Sequence, residues 1–284
     1  MPTNPLLPPG LTGVRRLCAF AFLLAPACAA PAQSLLLGVS EGTSGGLDHA
    51  RAVAKYQGLA DVIGRAVKRK VDVVFMREFS NLESGMKEQR LDFVMARPSD
   101  YPARGIRENG YRCVASAKPD GQCLIVATKG TAIKSVADLK GKRIVLPEPA
   151  AYMTKFCLAE LRDQGIAASS ASIQFVREQG AVTFYLQNRF ADAGGIASYS
   201  GPAAKWEKDG NVVVHRSRPQ PYFPLIARGS TTDAQVAGIQ SALRELPATE
   251  AGRAVLASIG IAEFDFSSAA RLVELLKWLP KDGG

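Results

Sequence analysis

Apolar residues along this chain fall into short runs, separated by longer stretches in which they recur every three or four positions. The short runs read as strands and the longer stretches as helices. Strands are expected over residues 34–40, 71–76, 91–96, 111–115, 122–128, 144–146, 172–176 and 212–215. Helices are expected over 47–67, 81–90, 152–164, 182–188, 198–208, 232–246, 250–259 and 268–279. In the first helix Ala50, Val53, Ala54, Leu59, Val62 and Ile63 share one face. Lys68, Arg69 and Lys70 follow its end, where basic charge suits the helix dipole. Strand and helix alternate through both halves of the chain, which argues for an α/β fold with largely parallel sheets. Pro98-Ser99-Asp100-Tyr101-Pro102 breaks the alternation, Gly194 and Gly195 are expected to follow the next strand after the 182–188 helix, and 221–227 reads as a return crossing.

Residues 1–32 follow a different pattern. Arg15 and Arg16 precede an apolar run over 17–25, and small residues then lead to Ala30-Pro31-Ala32. This is the layout of a secretory signal peptide, with cleavage expected after Ala32. The run is too short to span a bilayer. Ala25-Pro26-Ala27-Cys28 loosely resembles a lipoprotein site and is the alternative. The formal charge is +9, or +7 without Arg15 and Arg16. An exported protein with this balance favours anions, although a basic surface without ligand meaning gives the same count. Export permits disulfides. Of the five cysteines, Cys113 and Cys123 flank a turn signal, Ala117 to Gly121, which makes a local Cys113–Cys123 pair one of two readings, with Cys157 then an odd thiol on a helix. Buried reduced cysteines are the plainer alternative.

The stretch Ser135-Val136-Ala137-Asp138-Leu139-Lys140-Gly141-Lys142-Arg143-Ile144 combines an N-cap, a short helix, a Gly stop and the start of a strand. Preceded by an apolar strand, it resembles the start of the second domain in bilobed periplasmic solute-binding proteins. Tyr56-Gln57-Gly58-Leu59-Ala60-Asp61, Phe79 to Met86, Leu91-Asp92-Phe93-Val94 and Glu250 to Ile261 resemble further strings of the family that binds phosphate, phosphite and phosphonates for import. The resemblance implies a type 2 periplasmic-binding-protein fold, in which two α/β lobes are joined by two crossover segments. Lobe 1 is then expected over 33–120 and 221–284, and lobe 2 over 121–220.

Relatives carry Asp-Pro-x-Ser-Thr-Ser-Gly after the strand that corresponds to 144–146, and its hydroxyls and amides hold an oxyanion at a helix N-terminus. Here the same place reads Glu148-Pro149-Ala150-Ala151-Tyr152-Met153-Thr154. The hydroxyl cluster has become Ala151, Tyr152 and Met153, and Thr154 restores one hydroxyl a place later. A larger, softer ligand is expected, or else lobe-to-lobe packing by the same side chains. Ligands in open α/β sheets sit beyond the C-terminal ends of strands. That rule adds Arg77 and Phe79 after the second strand, Arg97 after the third, Gln179 with Arg177 after the strand ending at Val176, and Tyr199. Arg97 could clamp an oxyanion with paired N–H groups, or could be a solvated charge.

No Walker loop and no His-Glu-x-x-His occurs. An enzyme, a metal and a cofactor are therefore not expected. The expected role is a periplasmic protein that closes on a small anionic ligand and hands it to an inner-membrane ABC permease. A ligand-binding partner of a membrane sensor histidine kinase is the alternative. Neither nucleic-acid binding nor stable membrane insertion is expected.

Overall fold

Parallel pairing of the first expected strands builds one half of the molecule. In the computed structural model, which describes residues 33–43, 48–167 and 170–280, β1 (Leu35–Ser40) lies between β2 (Val71–Phe75) and β3 (Phe93–Ala96) and is parallel to both. The expected signal peptide over 1–32 and the alternative lipid site at Cys28 lie outside the described residues. A strand flanked on both sides and covered on both faces needs a continuous apolar run, and Leu35 to Val39 supplies it. The connections are α1 (His49–Val67) and α2 (Phe79–Lys87). Asp48 caps α1 by accepting from the Arg51 amide at 2.8 Å.

After β3 the chain forms α3 (Asp100–Glu108), where the sequence pattern indicated only an interruption. Pro102 sits in its first turn. Amides there lack intrahelical acceptors, so the missing N–H costs little. β4 (Arg112–Gly121), β10 (Gln220–Ala227) and β11 (Glu263–Asp265) complete the sheet in antiparallel fashion, giving the order β11-β4-β10-β3-β1-β2. α7 (Asp233–Glu245) and α8 (Glu250–Ile259) pack beside α1. Tyr56, Leu59 and Ile63 of α1 meet Phe93, Leu225, Ile239 and Leu256 in one core.

The second half is a sheet of order β7-β6-β8-β5-β9, formed by β5 (Cys123–Ala127), β6 (Arg143–Pro147), β7 (Ser172–Val176), β8 (Ala193–Ala197) and β9 (Val212–Arg216). β6 is parallel to β7 and β8, and β5 is antiparallel to β8 and β9. α4 (Tyr152–Asp163), α5 (Gln179–Gln187) and α6 (Gly201–Lys208) pack on it. The Gly194-Gly195 pair lies inside β8 and does not follow it. A Cβ on Gly194 would stand 2.6 Å from Val182 Cγ1, and one on Gly195 2.6 Å from Leu146 and 2.7 Å from Cys157 Sγ. The absence of side chains lets α4 and α5 approach the strand closely.

The chain passes between the sheets twice, from β4 to β5 and from β9 to β10. The last helix, α9 (Ala269–Trp278), contacts α3 and β10, while Leu275 and the following Leu279 enter the core of the second half. No helix among the described residues is long and apolar enough to cross a membrane.

The local Cys113–Cys123 pair is not formed. The turn signal between these residues does not reverse the chain: β4 runs on to Gly121, and β5 starts at Cys123 in the other sheet. The two cysteines therefore stand near opposite ends of one extended passage. Cys123 is bonded to Cys157 on α4, with a Cα–Cα distance of 5.4 Å, and both are fully buried. Among the described residues Cys113 is the free thiol, half-buried with its Sγ 3.8 Å from Ser268 Oγ.

Candidate functional site

Strand ends from both sheets converge on one cleft. β1 delivers Glu41, Gly42 and Thr43, β2 delivers Arg77 and Phe79, and β3 delivers Arg97. From the second half β6 leads through Glu148 to the start of α4, β7 leads to Arg177 and Gln179, and β8 leads to Tyr199. The halves touch across this cleft. The Gln179 amide donates to the Thr43 carbonyl at 3.4 Å, and its side-chain Nε2 donates to Thr43 Oγ1 at 3.4 Å. Gln179 Oε1 accepts from the Ala197 amide at 2.7 Å, which fixes the side chain in the cleft wall. Further in, Lys155 on α4 reaches Asp100 on α3 at 3.4 Å, and both side chains are buried.

Among the described residues two spaces stand out between the halves. The inner one, about 10 Å³ and so roughly the room of one water, is bounded by Glu41, Thr43, Phe79 and Arg97 on one side and by Tyr152, Met153, Gln179 and Tyr199 on the other. The outer one, about 110 Å³, has Glu41, Arg77, Glu78 and Phe79 facing Glu148, Arg177 and Glu178.

The inner floor is an ion-pair network centred on Glu41. Its carboxylate accepts from Arg97 Nε at 2.5 Å, Tyr56 Oη at 2.5 Å and Lys55 Nζ at 2.6 Å. Burial would push the Glu41 carboxyl up, but Arg97 and then Lys55 outweigh it and hold the group below its ordinary value. Arg97 also donates from Nη2 to the Ile259 carbonyl at 3.2 Å, and its guanidinium lies 4.7 Å from the centre of the Phe223 ring. Desolvation opposes the guanidinium charge, and Glu41 more than compensates. Arg97 thus borders the cavity with its charge already matched from within.

The other expected residues divide by position. Arg77 is an exposed residue of the outer wall, and Phe79 borders both spaces and stacks on Tyr101 at 5.3 Å. Tyr152 and Met153 are buried against the inner space. The Tyr152 hydroxyl lies toward Ser99 without a hydrogen bond of ordinary geometry, and burial first of all keeps it un-ionised. Ala151 precedes α4 and does not line either space. Thr154 does not line them either, because its hydroxyl turns inward and donates to the Pro147 carbonyl at 2.8 Å. Sequence reasoning missed Glu41. Its signal was local: an acidic residue directly after the first strand, with Lys55 and Tyr56 on the helix that follows.

A cleft between two mixed α/β sheets, joined by two chain passages and lined by strand ends, defines a bilobed ligand-binding protein. The family model for the periplasmic substrate-binding protein of phosphonate ABC transporters matches residues 46–272. The chain belongs to this family, whose members bind their ligands and are not enzymes. Among solved structures, a Xanthomonas citri protein bound to ATP has a TM-score of 0.69 at 16% identity, covering 86% of this chain and 97% of its own. A phosphonate-transporter binding component from Pseudomonas aeruginosa has a TM-score of 0.64 at 13% identity, covering 87% and 86%. A Prochlorococcus marinus protein in complex with methylphosphonate has a TM-score of 0.67 at 11% identity, covering 86% and 96%. At these identities the likeness shows the type 2 periplasmic-binding-protein fold.

Proposed function

We propose that this protein, exported by its N-terminal segment, closes on an organic oxyanion larger than phosphate and delivers it to an ABC permease. The observation that carries this reading is the outer space, with an arginine on each wall: Arg77 from the first half and Arg177 from the second. Closure brings both guanidinium groups onto one ligand, and each can supply paired donors. A ligand bound this way stabilises the closed state more than the open one, which is what drives closure. Phosphonates and sulphonates, which relatives of this fold bind, suit these donors.

Inorganic phosphate suits them less. Ala151, Tyr152 and Met153 offer no hydroxyl cluster at the helix start, Thr154 has spent its hydroxyl on Pro147, and Arg97 is matched by Glu41. Glu78, Glu148 and Glu178 on the outer walls favour an organic part that carries hydrogen-bond donors. Native mass spectrometry of the protein isolated from the periplasm should show a retained organic anion. Calorimetry with that compound should then show Arg77→Ala and Arg177→Ala each weakening binding by about 10- to 100-fold, the scale of a charged hydrogen bond. Tight binding of inorganic phosphate, or wild-type affinity in both variants, would refute the reading.

A further inference from the structure

Any rotation of one half against the other must bend the two places where the chain changes sheets. One lies between Gly121 and Cys123, and the other between Arg216 and Gln220. Tyr199 touches the first-sheet side of both. Its ring stacks on Tyr222, near the start of β10, with centroids 3.8 Å apart and planes inclined by 22°. A Cβ on Gly121 would stand 2.9 Å from Cε1 of Tyr199 and 3.3 Å from Cβ of Tyr222, so the ring rests against bare backbone at the first joint. The neighbouring residue anchors it. Ser198 donates its amide to the Gln122 carbonyl at 3.0 Å, and Ser198 Oγ accepts from the Gln122 amide at 3.0 Å.

The second joint is irregular at this same point. The β10–β4 ladder shifts register on either side of Tyr222. Phe223 adopts φ 51°, a left-handed conformation disfavoured for a bulky residue. The ring stack therefore supplies contact where the ladder is broken. Tyr199 also borders the inner space, and the Arg97 guanidinium lies 5.8 Å from its ring centre and 5.5 Å from that of Tyr222.

We propose that Tyr199 is a positioning residue that couples the ligand cleft to the hinge: its ring, seated on Gly121 and stacked on Tyr222, holds both joints in the closed arrangement. Tyr199 stands in the cleft wall beside Arg97 and Gln179, so closure of the cleft on a ligand is felt at both joints. That second half rests on the binding function proposed above. The first half is tested with no ligand present, so the two can fail separately.

The test compares ligand-free wild type, Tyr199→Phe, Tyr199→Leu and Gly121→Ala by small-angle scattering and by exchange of the Gln122 and Ser198 amides. Tyr199→Phe keeps the stack and should match wild type in both measurements. Tyr199→Leu keeps apolar bulk without the stack. It should show a larger radius of gyration and exchange these two amides about tenfold faster or more. Gly121→Ala, which displaces the ring by direct contact, should move both readouts the same way. Wild-type scattering and exchange in Tyr199→Leu overturns the proposal, as does a Tyr199→Phe protein that opens like Tyr199→Leu. Should circular dichroism show that Tyr199→Leu does not fold, Gly121→Ala and Tyr199→Phe decide the matter: a closed Gly121→Ala or an open Tyr199→Phe overturns it.

Discussion

Replacing Glu41 by Gln should destabilise the whole protein, because it strips the counter-charge from two basic groups without changing shape. Arg97 is the main loser: its side chain is 8% exposed and cannot rehydrate. Removing one partner of a buried pair costs about 3–5 kcal/mol. Lys55 is 22% exposed and can turn toward water, so its loss adds at most about 1 kcal/mol. Set against a typical total of about 5–15 kcal/mol, this is a large fraction. Urea unfolding at pH 7 reads it directly. The double variant Glu41→Gln/Arg97→Gln removes both charges and should cost less than the sum of the singles by about 1.5 kcal/mol or more. The pH dependence has a definite sign. The folded carboxyl lies below its ordinary value of 4.5, so its stabilisation is complete above that value and is lost as pH falls through the folded one. Wild type and Glu41→Gln should therefore keep a constant gap above 4.5 and converge on acidification. A loss under about 1 kcal/mol at pH 7, or a gap that persists into strong acid, would refute the assignment of Glu41 as the ionised centre of this network.

Reduction of the Cys123–Cys157 bond opens a loop closed across a sequence separation of 34 residues. The chain-entropy estimate for that length is about 4 kcal/mol. Adding reductant, or the double Cys→Ala variant, should lower the thermal midpoint by about 8–15 °C. Thiol titration of the chain lacking residues 1–32 should give one free thiol, Cys113, before reduction, and any other count contradicts the pairing. Gly195→Ala would place a methyl 2.6 Å from Leu146 and 2.7 Å from Cys157 Sγ, and should cost about 1–3 kcal/mol in urea unfolding. Gly180→Ala, on a helix with nothing within 4 Å, should be neutral or gain up to about 1 kcal/mol, and equal effects at the two positions would reject the packing account.

Much of the scaffold could be read from local pattern, because fully covered strands such as β1 and β6 must be continuous apolar runs. α3 escaped because Pro102 looks like a breaker unless it is known to fall in a first turn. The extent of β8 was missed because Gly194 and Gly195 look like a strand's end until the side chains above them, Val182 and Leu146, are seen. The cysteine pairing was misread for a related reason. The signals at 117–121 mark a bend in backbone preference, yet β10 and β11 pair with that segment and keep it extended. At the cleft, the family's ligand motif pointed to Tyr152 and Met153 and the strand-end rule to Arg77, Phe79, Arg97, Gln179 and Tyr199, and each of these borders at least one of the two spaces. It could not reveal which of them were already committed. Arg97 finds its partner Glu41 56 positions away, and Thr154 turns its hydroxyl to Pro147, seven positions back. Those choices depend on tertiary placement, which no local periodicity encodes.

α9 gives the molecule a tether besides its two chain passages. It leaves the first half, where it lies against α3, and buries Leu275 and Leu279 in the second. Trp278 packs edge-on against Phe156 at 5.2 Å and donates from Nε1 to Asp163 at 2.6 Å, both on α4. The halves cannot part widely unless this helix peels from one of them. The amplitude of breathing is therefore set at the far end of the chain, away from the cleft, and the apolar side chains of the last helical turn act as its stop.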